Sequence, residues 1–155
     1  MTDVNSALQK GSKLMVTGAL IFLAYAVVFF FLSFSGTGFE IGVPTLNGIT
    51  PADLNALNPA IMAYIAHLHI ATAGFIASTS IAVMALCWYG VQEGRWWAWW
   101  AAMISPVVAL IVALPMHYLD VFDHNWVTHI GPIYIGTAIF VVGGLMSGSQ
   151  LLKSA

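Results

Sequence analysis

The sequence predicts an all-α, polytopic membrane protein, a four-helix transmembrane bundle with both termini in the cytoplasm. Three observations predict it: composition, four long apolar stretches, and the placement of the basic residues. Of 155 residues, 60% are hydrophobic and only 6% charged, against about 25% charged in an ordinary soluble domain. A membrane-spanning helix needs about 20 mostly apolar residues. Four stretches meet that need, at 14–34, 60–89, 97–117 and 132–152. They use nearly the whole chain, so residues 1–155 read as one transmembrane domain with connections at 35–59 and 118–131. All 4 basic residues, Lys10, Lys13, Arg95 and Lys153, fall in the N-terminal tail, the second connection and the C-terminal tail. Positive-inside bias makes those three segments cytoplasmic and the other two connections outer. The expected home is a bacterial or archaeal cytoplasmic membrane.

The first span follows Lys10 and Lys13 and runs to Phe34. Apolar cores of cleaved signal peptides extend over about 7 to 15 residues, so this longer run reads as an uncleaved anchor. The outer loop after it, Gly36 to Leu57, is rich in Gly and Pro and carries a short helix. Thr50 caps that helix, Pro51 suits its first position, and Asp53 puts negative charge at the positive end of the helix dipole.

The second span presents Ala60, Ala63, His67, Ala71, Gly74, Ser78, Ala82 and Ala85 at helical spacing. Small-residue stripes of this kind let helix backbones approach closely in lipid. The fourth span offers a matching partner in Gly136, Gly143, Gly144, Ser147 and Gly148. Between the second and third spans, Gly94 stops the helix, and Trp96, Trp97, Trp99 and Trp100 predict an interfacial aromatic belt. Pro106 and Pro115 should bend or loosen the third span. The lone Cys87 reads as a small core hydrophobe, having no second cysteine to pair with.

All 5 histidines belong to the outer half of the bundle. His67 and His69 lie inside the second span, His117 ends the third, and His124 and His129 occupy the loop leading into the fourth. Imidazole is a good ligand for zinc, copper, iron and nickel, and a polar ring at membrane depth is costly unless something satisfies it. Residues two apart on a helix point about 200° apart, so His67 and His69 serve two different places. The run HYLDVFDH, His117 to His124, lets His117, Asp120, Asp123 and His124 converge from a helix end and loop, with Asn125 and His129 close behind. The candidate metal set is therefore His67, His69, His117, Asp120, Asp123, His124 and His129, with copper, zinc or iron as the ion. Alternatives stay open. His67 and His69 can be core histidines donating to carbonyls or hydroxyls, and the remaining histidines and aspartates can be solvated loop residues.

The segment AHLHIATAGFIAS, Ala66 to Ser78, resembles the helix of haem-copper oxidase and nitric oxide reductase large subunits that carries a His-x-His pair followed by Gly. There the two rings point to two haems, and the resemblance implies His67 as an axial ligand of a high-spin haem and His69 of a low-spin haem. The copper-binding histidines of that family have no counterpart here, so an oxygen-reducing binuclear centre is not implied. A bis-imidazole haem b would pair His67 or His69 with His117 or His129.

Three functional expectations follow. The first is a membrane metal or haem protein with a His/Asp site near the outer face, acting as a small subunit of a redox complex. The second is an inert accessory subunit that packs against other membrane subunits or its own copies. The third is a carrier or sensor with a pocket lined by Tyr64, His67, His117 and Tyr134. The chain has no phosphate-binding loop, nucleophile elbow or Cys-based metal motif, and lacks the basic surface that nucleic acid requires.

Overall fold

The computed structural model describes residues 2–154. Five α-helices follow in order: α1, Thr2–Phe34; α2, Pro51–Leu57; α3, Pro59–Ala85; α4, Trp96–Ala113; and α5, Gly131–Ser154. α3 continues into a π-helical turn at Leu86–Val91, α4 into a 3-10 segment at Leu114–Tyr118, and α5 is led in by another π-helical turn at Trp126–Ile130. With those extensions, α1, α3, α4 and α5 form the four apolar helices long enough to cross a membrane. The chain is a polytopic four-helix membrane protein.

α1 is the hub, packed along both α3 and α5. Its pairing with α5 is antiparallel and close: a Cβ on Gly143 would stand 2.6 Å from the Gly11 carbonyl oxygen and 2.7 Å from the Met15 nitrogen. Such glycines replace side-chain packing with backbone proximity, the usual basis of helix association in lipid. α1 starts earlier than the predicted span, and one side of it is buried from Leu8 onward: Leu8, Ser12 and Met15 pack in one cluster with Cys87, Val91 and Leu151 or lie beside it. Ser12 Oγ donates to the Cys87 carbonyl at 2.6 Å, serving a π-helical turn. Cys87 is fully buried, as its apolar surroundings predict.

Two packing expectations are corrected. The glycines of α5 meet α1 and α4, since Gly136 faces Phe22 and Gly18, Gly144 faces Met103, and Gly148 faces Trp99. The predicted α3 stripe is not an interface with α5: nothing lies within 4 Å of where a Gly74 side chain would stand. The buried positions of α3 are Met62, Ala73, Ser80 and Val83, on nearly the opposite face of the helix, about 160° around from that stripe. Tyr25, Phe29 and Ala73 form one cluster of the α1–α3 contact. The tryptophan belt is likewise divided. Trp97 and Trp100 face outward, whereas Trp99 turns inward and donates its indole N–H to the Gly144 carbonyl at 2.9 Å.

The loop between α1 and α2 folds back onto the bundle. Phe39 and Val43 are buried with Met62, and Leu46, Leu54, Ile65 and Phe122 pack around them. Thr50 caps α2 as predicted, Asp53 accepts back from the Thr50 amide to complete a capping box, and Pro51 is the first residue of the helix.

Candidate metal centre

The four apolar helices end in two different surroundings. The end holding both termini carries the basic residues, and the opposite rim carries the histidines. The rotation of α3 that buries Ala73 also turns His69 inward, where its ring lies 5.2 Å from that of Phe29. His67 is exposed on the other side of the helix, as two residues of helical spacing require.

His117, His124 and His129 gather at the top of α4 and the start of α5. Their ring centroids are 4.9 Å apart for His117 and His129, and 5.6 Å from His124 to each of the others. Phe122 stands against all three rings. His129 is almost wholly buried, at 1% exposure. Asn125 is not available to this group: its side-chain oxygen caps the following turn by accepting from the Val127 and Thr128 amides. Asp123 accepts from the Thr45 hydroxyl and so staples the folded-back loop to the rim. Asp120 is exposed, with a left-handed backbone at φ 49°. Neither aspartate converges on the histidines; the carboxylate that does is Glu40.

Glu40 comes from the folded-back loop. Its Oε2 lies 3.5 Å from His129 Nε2 and its Oε1 lies 3.7 Å from His69 Nε2. Burial holds its carboxyl above the usual carboxylate range, with the neighbouring His69 and His117 pulling the other way. The loop is clamped by its backbone: the Ile41 carbonyl accepts from His129 Nδ1 at 2.6 Å, and the Gly42 carbonyl accepts from the Asn125 amide at 2.7 Å. Gly42 sits at φ +77°, and a Cβ there would lie 3.0 Å from the His129 nitrogen and 3.1 Å from its Cβ. Glycine is required on both counts, conformation and space. In the sequence Glu40 is a single acid in a Gly-rich loop. The signal near it is apolar residues in a Gly-rich loop, Phe39, Ile41 and Val43, which have to be covered and so bring the turn that carries Glu40 back onto the bundle.

The two rings that face each other define what the site can do. His117 Nδ1 is 3.1 Å from the Ala113 carbonyl and His129 Nδ1 is 2.6 Å from the Ile41 carbonyl. A carbonyl only accepts, so both Nδ1 atoms carry the proton, and in neutral rings both Nε2 atoms carry a lone pair. Those two Nε2 atoms are 2.9 Å apart. Two lone pairs at that distance repel unless a cation lies between them, either a proton that makes one ring the donor or a metal ion. Among the described residues, Glu40, His117 and His129 form a group whose ligand atoms all lie within 4.8 Å of one another. His69 Nδ1 and His124 Nε2, beside this group, are buried without a hydrogen-bond partner. Further out, the Tyr118 and Tyr134 hydroxyls share a hydrogen bond at the rim, while Tyr64 is exposed.

Fold and site together define a class, a four-span membrane protein with a histidine and carboxylate cluster at one rim. Comparison with protein-family models, curated proteins and solved structures gives no match for this chain.

Proposed function

We propose that this chain is an integral membrane metal-binding protein in which Glu40, His117 and His129 hold one divalent transition-metal ion. The observation that carries the reading is the pair of facing Nε2 atoms, 2.9 Å apart, each on a ring whose Nδ1 is already committed to a backbone carbonyl. Metal-ligating histidines characteristically donate their other ring N–H to such a partner, which fixes tautomer and orientation. Two nitrogens each about 2.05 Å from a tetrahedral ion stand about 3.3 Å apart, a few tenths of an ångström from the observed spacing. Two histidines with one carboxylate is a ligand set of zinc hydrolases and of non-haem iron oxygenases, and both leave open positions on the metal. Zinc or iron is therefore the favoured ion, with copper next. The close approach of His117 and His129 supports an ion rather than a haem between those rings, because axial nitrogens lie about 4 Å apart across a haem iron. His69 and His124 would stand beside the ion as further ligands or as partners that accept a proton from a water bound to it. An iron centre would suit a small subunit of a membrane redox assembly. The basic end is assigned to the cytoplasm by its Lys and Arg content, which puts the ion at the outer face.

Metal analysis of purified protein, with an absorbance spectrum of the same sample, tests the reading. About one equivalent of zinc, iron or copper per chain is expected, lost in Glu40→Gln and His129→Ala but retained in His67→Ala. A Soret band would replace the ion with haem. Neither metal nor Soret band would overturn the proposal and leave an accessory packing subunit.

A further inference from the structure

Below the cluster, inside the apolar layer, α1, α3, α4 and α5 do not close on one another. They enclose a chamber of about 250 Å³. An apolar cavity of about 150 Å³ already binds benzene, so this space takes something longer. On α4 its walls run from Met103 to Ala113, about 15 Å at 1.5 Å per residue, or half the thickness of the hydrocarbon layer. The walls are almost wholly apolar.

Three features say what fits. The chamber has a side mouth, since Phe75 on α3 and Val107 on α4 both line it and are 73% and 46% exposed. In a membrane that mouth faces acyl chains, so entry is from lipid and not from water. The upper end of the chamber carries one polar group. Tyr25 lines it beside Ala113 and Ile133; Ile41, next to Glu40 in the chain, packs against the Tyr25 cluster, and Ala113 is the residue whose carbonyl holds His117. Finally, its α4 wall is adjustable. α4 touches α3 and α5 only sparsely along its length, and Pro106, which lines the chamber, removes a backbone hydrogen bond midway.

We propose that this chamber binds one long-chain amphiphile, a single alkyl or isoprenoid chain with a small oxygen-bearing head, entering between Phe75 and Val107 and seating its head against Tyr25 beneath Glu40 and His117. That orientation is the one a leaflet lipid already has at this rim. A two-chain phospholipid does not fit a space of this size, whereas a fatty alcohol or fatty acid does. The inference does not depend on the metal reading, because the walls and the mouth are independent of what occupies the cluster.

The test is photolabelling of the full chain in lipid nanodiscs with a fatty alcohol carrying a mid-chain diazirine, followed by peptide mapping. Label is expected on Phe75, Met103 and Val107, competed away by excess unlabelled fatty alcohol, while label on the outward Val112 and Trp88 is not competed. Ala109→Phe fills the chamber and should lose most of the competed label; Ile104→Phe, on the outer face of α4, should keep it. Uniform label that excess alcohol does not compete, or competed label that survives Ala109→Phe, would mean ordinary annular lipid and overturn the proposal. Metal content measured on the same samples keeps the two proposals apart, since neither α4 substitution touches Glu40, His117 or His129.

Discussion

At the scale of single residues, Gly42 is the position on which the cluster most depends without contributing an atom to it. A side chain there meets a positive φ and the backbone of His129 together. Gly42→Ala should cost about 1–2 kcal/mol from the left-handed conformation alone, more from the contact with His129, and should lower metal content while leaving helix content by circular dichroism unchanged. Asp53 gives a pH signature of a different kind. The Thr50 hydroxyl and Thr50 amide both donate to its carboxylate, and these bonds hold its pKa below the ordinary Asp value. A carboxyl with a lowered folded-state pKa adds stability that is present above the unfolded value and lost as pH falls through the folded one. The Asp53 carboxyl carbon resonance in micelles should accordingly titrate below the free-Asp midpoint, and the first turn of α2 should keep its amide protection until that point. A midpoint at the free-Asp value would show that the box does not hold in solution.

At the scale of helices, the strongest statement concerns α1 and α5. Because a Gly143 side chain would meet backbone atoms of Gly11 and Met15, which cannot rotate away, Gly143→Ala should destabilise the pair by about 1–3 kcal/mol. Gly74→Ala, facing open space, should be neutral or stabilising in the same thermal-melt assay. Trp99→Phe removes one hydrogen bond between α4 and α5 and should cost about 1 kcal/mol; Trp97→Phe, at the exposed face, should not. These helices were legible in the sequence because hydropathy over 20 residues reports a physical requirement of the bilayer. Their faces were less so. A stripe beginning at Ala60 and one beginning at Met62 have similar spacing, and what decides between them is the packing of Tyr25 and Phe29 on another helix, which spacing within α3 does not report. The same rotation selects His69 over His67. The histidines of the site were readable as chemistry, whereas Glu40 was hidden, since its place depends on a loop whose path is set by the covering of Phe39 and Val43.

At the scale of the whole molecule, charge and chemistry separate to opposite ends of the bundle. If the basic end lies in the cytoplasm, a reporter fused after Ala155 should be active only in its cytoplasmic form, and a cysteine introduced at the exposed Asn47 should react with an impermeant maleimide from outside. The opposite pair of results would invert the assignment. The uneven packing of the helices has its own consequence. α1, α3 and α5 are held along their lengths, but α4 resembles a beam pinned over its first half, where Ala98 abuts Gly90, Trp99 reaches Gly144, Ala102 is buried and Met103 packs on Gly144, and then again only at the finish through His117. Stripping an ion from the rim with a chelator would unpin the second support. Hydrogen exchange should then accelerate from Pro106 to Tyr118 while α1 and α5 stay unchanged, making the ion the fastening that decides how far this one helix can swing.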